Sequence, residues 1–269
     1  MDWKRFFDNL GMNGAHWQWR MMRWERNWKA FWRGDSVTSV MTLSRGLIYL
    51  NIGLFIAMIL MGLLTGRGLS SILSPDTQLL VDSGGQYWPY TIKFNQWWRC
   101  ITYAYTHGGI IHLGFNMMVL YQVGPLIENE IGTARFFVLY TAAALAATVA
   151  GYFWHPMIPV VGASGSLFGL IGFAVAYYHR VGPGAHDLRN FMFKWALFAF
   201  VFGIMVGADN AAHLGGAICG AILGMLLPIG VRGRQKLKGL FNLMAGLSVA
   251  VTVISLGFLI VSWLIFALS

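Results

Sequence analysis

The chain has 269 residues, of which 57% are apolar, 15% aromatic and only 11% charged, with 19 basic against 10 acidic residues and a net charge of +9. Soluble domains carry about a quarter charged residues. The composition therefore excludes a disordered chain and a collagen-like fibre, and argues strongly against an ordinary water-soluble enzyme. Two cysteines, Cys100 and Cys219, are too few for a disulfide framework and read as buried thiols.

In chain order, residues 1–45 come first. Half of the 12 tryptophans fall in the first 32 residues. Trp17, Met21, Trp24, Trp28 and Phe31 recur at intervals of three and four, with Arg26, Lys29 and Arg33 towards another face. Trp3, Phe6, Phe7 and Leu10 form a shorter stripe. The pattern predicts a basic amphipathic helix lying in a membrane interface, with a small helical hairpin as the alternative. No apolar core precedes a small-residue cleavage site, so no signal peptide is expected.

About twenty apolar residues cross a bilayer as a helix. Such runs occur at 46–66, 110–127, 136–154, 161–178, 191–206, 211–229 and 240–268, which predicts seven spans. No segment alternates with period two, so a membrane β-barrel does not fit. Between the first two runs lies a long segment, 69–100, whose Trp88, Trp97 and Trp98 suggest contact with the interface. Of the basic residues, only Arg67, Lys93 and Arg99 fall outside if the N-terminus is cytoplasmic. The positive-inside rule therefore predicts the N-terminus in and the C-terminus out. The excess positive charge is then a topology signal and an attraction to anionic lipid, with no nucleic acid implied.

Polar side chains within a span are expensive and mark functional suspects. His112 and Asn116 lie four apart near the start of the second span. Ser164 opens the fourth, within Gly162-Ala163-Ser164-Gly165, and His213 opens the sixth. These three spans run in the same direction, so the residues share one depth. Gly216, Gly220 and Gly224 follow His213 on its own face, and Gly165, Gly169 and Gly172 line one side of the fourth span. Small residues at this spacing let two helix backbones approach closely. Ser164 could then reach His213, a nucleophile beside its base. The Ser164 backbone N–H, His112 and Asn116 are candidate oxyanion donors. Each feature alone has a plainer reading in packing or capping. Asp209, one turn before His213, reads as a helix cap. Four histidines, His107, His112, His155 and His213, share the outer half without neighbouring carboxylates, so no metal and no cofactor are expected.

From Trp98 to Leu227 the chain resembles the rhomboid family of intramembrane serine proteases. Trp98-Arg99 is similar to the family's motif in the first outer loop. His107-Gly108-Gly109 with His112 and Asn116 is similar to its second-span signature. Gly124, Glu128 and Gly132 resemble its glycine–glutamate turn, the Ser164 tetrapeptide its nucleophile motif, and His213 with Gly216 and Gly220 its sixth-span motif. The resemblance implies an all-α polytopic membrane protein, a six-helix core plus a seventh C-terminal transmembrane helix. It implies a Ser164–His213 dyad, oxyanion support from His112, Asn116 and Ser164, and structural roles for Trp98, Arg99, Glu128, Gly216 and Gly220. Phe168 stands where the family often packs an aromatic ring on the histidine.

The implied organisation is an interfacial segment at 1–45, a protease core at 46–230, and a basic loop with an extra span at 231–269. The implied activity is hydrolysis of a peptide bond in or near the transmembrane segment of a membrane-protein substrate, with residues 205–210 as a mobile cap. The implied partners are such substrates and the bilayer, and the expected location is a bacterial inner membrane. Two other readings stand beside it: a catalytically silent rhomboid-like protein that binds membrane clients, and a seven-span channel or transporter.

Overall fold

The computed structural model describes residues 42–205 and 209–268, together with scattered positions among the first 29. The aromatic stripes expected at 1–45 and the centre of the cap expected at 205–210 lie outside the described residues. Among the described residues, seven helices of 17 residues or more carry the fold: α1 (Leu43–Leu64), α2 (Ile110–Ile131), α3 (Thr133–Trp154), α4 (Ser164–Val181), α5 (His186–Met205), α6 (Asn210–Leu226) and α7 (Lys238–Leu268).

Helix boundaries follow local chemistry. Thr42 caps α1 by accepting from the Arg45 N–H at 3.4 Å. Helices α2 and α3 are separated by the single residue Gly132, whose φ of 85° reverses the chain in a conformation that suits glycine. Asp209 caps α6 by accepting from the Ala212 N–H at 3.0 Å. Among the described residues four helices, α1, α2, α3 and α7, are long and apolar enough to cross a membrane by length and composition. The other three of the seven expected spans depart from that standard for identifiable reasons. Helix α6 has 17 residues, a rise of about 26 Å against roughly 30 Å of hydrocarbon. Helix α4 has 18 residues, ending in His179 and Arg180, and α5 begins with His186, Asp187 and Arg189.

Helix α6 packs most extensively on α4 and then on α3, and α5 leans on α4. The centre, between α2, α3 and α4, is filled by Leu120, Val123, Ile127, Phe136, Leu170 and Ile171. Polar groups sit inside with it, among them Asn51, Arg99, His107 and Glu128, while Ile56, Phe153, Leu247, Ile254 and Ile265 face outward. Such a distribution suits a lipid solvent. The chain is a multi-pass membrane protein.

The segment between α1 and α2 is a compact scaffold built of short helices. Trp88 is buried against Tyr152, whereas Trp97 is exposed. Helix α7 packs on α3, and its Trp263 donates from Nε1 to the Asp82 carbonyl at 3.1 Å. Cys100 and Cys219 are free and only half-buried, a correction to their reading as buried thiols.

Candidate active site

Ser164 is the first residue of α4 and His213 lies in the first turn of α6. The two helices meet backbone to backbone. A methyl group added at Gly216 would collide with the Gly165 carbonyl, and one at Gly220 with the Gly169 carbonyl. Side chains at these positions would force the helices apart, so the glycines fix the approach. In consequence His213 Nε2 lies 2.9 Å from Ser164 Oγ. The His213 side chain is buried, and the Phe168 ring, one turn after Ser164, stacks on the imidazole.

The turn before Ser164 is equally constrained. Gly162 has φ 116°, its N–H donates to the Tyr103 carbonyl at 2.9 Å, and a Cβ there would lie 2.8 Å from His112 Nε2. His112 Nδ1 accepts from the Gly108 N–H at 3.3 Å. A backbone amide only donates, so Nε2 carries the imidazole proton and aims it at this turn. Asn116 is buried on the same face and donates from Nδ2 to the His112 carbonyl at 3.0 Å, which leaves its second amide hydrogen uncommitted to that bond. The backbone N–H of Ser164, at the start of a helix, has no intrahelical acceptor. His112 and Asn116 thus bring their nitrogens to the Gly162 turn, two residues before Ser164.

Ser164, His213, His112 and Gly162 line a cavity of about 450 Å³. His155 and Asp209 line it as well. A smaller apolar cavity of about 50 Å³ lies beside Ser164, bounded by Asn116, Phe168, Ala199 and Gly203. The arrangement supplies a nucleophile, a base and polar hydrogens around one pocket.

The remaining residues singled out from sequence lie away from the hydroxyl. Glu128 is buried at the opposite end of the bundle. It accepts from the Leu43 and Ser44 N–H groups at 2.8 and 2.9 Å and from the Thr133 hydroxyl at 2.9 Å, so α2 caps the start of α1. Arg99 is buried in the outer scaffold, where it donates to the Val81 and Gly85 carbonyls and to Gln96. Its guanidinium lies 4.6 Å above the Trp98 ring. Burial lowers its pKa to about 10, which leaves it charged at neutral pH.

One partnership was not visible in sequence. His155 Nε2, at the end of α3, lies 2.9 Å from Asp209 Oδ1, so the carboxylate that caps α6 also ties α6 to α3. The only hint was that His155 fell at the depth of the other outer histidines. Asp209 Oδ1 thus serves both His155 and Ala212, while Asp209 Oδ2 and His213 Nδ1 have no partner among the described residues. Among those residues no group of three or more His, Cys, Asp or Glu could hold a metal ion.

Comparison with known proteins gives the family. The family model described as the Rhomboid domain matches residues 94–230. Rhomboid protease GluP of Bacillus subtilis (strain 168) is 33% identical over 151 residues, covering 55% of this chain and 29% of its own length. The putative rhomboid protease YdcA of the same organism is 32% identical over 137 residues, covering 48% and 65%. RHOMBOID-like protein 4 of Arabidopsis thaliana is 27% identical over 174 residues, covering 59% and 41%. The chain therefore spans less than two thirds of the length of each of these relatives.

Proposed function

Because the chain belongs to the rhomboid family, we propose that it is an intramembrane serine endopeptidase. It hydrolyses a peptide bond in or near the transmembrane segment of a membrane-protein substrate. The single observation that carries this reading is the 2.9 Å separation of Ser164 Oγ and His213 Nε2 beside a cavity of about 450 Å³. Relatives named as proteases support it at family level.

In the mechanism Ser164 Oγ attacks the scissile carbonyl carbon while His213 Nε2 takes its proton. The negative charge that develops on the carbonyl oxygen is met by the Ser164 N–H, His112 Nε2–H and Asn116 Nδ2–H. Collapse breaks the C–N bond, and His213 returns the proton to the departing amine. Water then attacks the acyl-enzyme with the same base and acid. The reaction is written without an acidic third member, because Asp209 makes no hydrogen bond to His213 among the described residues: its Oδ1 serves His155 and Ala212, and its Oδ2 has no partner. Phe168 holds the imidazole plane, Gly216 and Gly220 hold the helix approach, and Arg99, Trp98 and Glu128 hold the frame.

The proposal includes a six-span core over 46–230, an interfacial segment over 1–45 and an additional span within 231–269. The N-terminus is cytoplasmic and the C-terminus outside, in a bacterial inner membrane. A substrate helix hides its carbonyls in hydrogen bonds, so it must unwind to reach Ser164. Reconstituted protein should cleave a transmembrane model substrate, and Ser164→Ala and His213→Ala should each remove cleavage. Equal cleavage by either variant would exclude the dyad.

A further inference from the structure

We propose that the groove bounded by α4, α5 and α6, whose mouth lies at the His179 end of α4 away from Ser164, binds an anionic phospholipid, with an acyl chain lying along α4 and the phosphate held by Arg189. The groove has a volume of about 480 Å³ and runs from Phe168 to His179 on α4, with Arg189 at the His179 end. It exists because its walls are small: Gly172 and Ala176 on α4, Ala196 on α5, Ala217 and Ala221 on α6.

Dimensions select the occupant. Eleven residues of helix rise about 16 Å, close to half of the roughly 30 Å hydrocarbon core. The groove therefore reaches from headgroup level to the membrane midplane, the depth of one acyl chain. Its lining between Phe168 and Ala176 is wholly apolar, so a single extended hydrocarbon chain can lie along it.

Charge selects the headgroup. Arg189 is half-buried and makes no ion pair among the described residues; its guanidinium meets only Asn190 Oδ1 and His179 Nδ1. A guanidinium only donates, so His179 Nδ1 accepts and Nε2 keeps its proton as a second donor at the mouth. The nearest acid in sequence, Asp187, lies two residues away and so points to another side of α5. The negative end of α6 is covered, since Arg180 donates to the Gly224 and Leu227 carbonyls at 2.9 and 2.8 Å. A phosphate with a fork of donors beneath it and an apolar trough behind it completes the site.

The test is thermal unfolding of the full-length protein in detergent, titrated with phosphatidylglycerol or with phosphatidylcholine of the same chains. Lipid in hundredfold excess over its Kd should raise Tm by roughly 5 °C or more, and phosphatidylglycerol should do so at lower concentration than phosphatidylcholine. Arg189→Gln should abolish that headgroup preference, and Ala221→Phe, which fills the trough, should weaken the response to both lipids. Arg232→Gln, which removes an exposed charge elsewhere, should leave the preference intact. Equal responses to the two lipids in the wild type would overturn the proposal. So would a preference that survives Arg189→Gln, or one that Arg232→Gln removes equally. None of these readouts depends on proteolysis.

Discussion

Phe168 lies nearly parallel to His213, with ring centroids 4.2 Å apart and planes inclined by 15°. The two side chains come from different helices, so the stack both joins α4 to α6 and fixes the imidazole plane in which Nε2 faces Ser164. Such aromatic contacts contribute about 0.5–1.5 kcal/mol beyond burial. Phe168→Ala should therefore lower kcat by roughly 2- to 12-fold with little change in KM, because the base loses orientation while the cavity of about 450 Å³ keeps its lining. Phe168→Tyr keeps the ring and should retain most of the rate. Steady-state cleavage of a transmembrane model substrate measures both.

The approach of α4 and α6 sets a second expectation. Gly220→Ala places a methyl group against the Gly169 carbonyl, where no flexible side chain can give way. Overpacking of this kind costs about 1–3 kcal/mol. Tm and activity should fall together. Gly53→Ala on α1 meets nothing within 4 Å and should leave both unchanged. Parallel melts and activity assays of the two variants give the comparison.

Glu128 ties the start of α1 to the end of α2 through two accepted hydrogen bonds and accepts a third from Thr133 at the start of α3. Leaving buried donors without an acceptor costs about 1–3 kcal/mol each. Tm should therefore fall in the order wild type, Glu128→Gln, Glu128→Ala, because glutamine keeps one acceptor oxygen. Thr133→Val removes a single bond and should fall least.

Asp209 and His155 separate capping from tethering. Asp209→Ala removes both the helix cap and the tie to α3, at about 1–2 kcal/mol. His155→Ala removes only the tie, a partly exposed pair worth under about 1 kcal/mol. Denaturation should show the larger loss for Asp209→Ala. A larger loss for His155→Ala would mean that the tie, and not the cap, holds the first turn of α6.

Much of this arrangement follows from counting along the chain. Apolar runs locate the long helices, and their alternating direction puts His112, Ser164 and His213 at one depth before any packing is known. The glycine spacing on α4 and α6 then explains why Ser164 and His213 meet. Long-range polar contacts carry no such periodicity. Glu128 reaches Leu43 and Ser44 across more than eighty residues, and Arg99 finds the carbonyls of Val81 and Gly85 inside a scaffold that reads only as a long tryptophan-bearing segment. The His155–Asp209 pair was hidden for the same reason, since a helix cap looks complete without a second partner. Helices α4, α5 and α6 are too short or too polar at one end to match the standard of a free-standing span.

The most direct measurement of the account is covalent labelling of the purified protein with a fluorophosphonate, which reports an activated serine without any choice of substrate. Wild-type protein should be labelled at Ser164, and labelling should disappear in Ser164→Ala and fall to background in His213→Ala. Labelling that persists in Ser164→Ala, or that is undiminished in His213→Ala, would contradict the pairing of this hydroxyl with this imidazole.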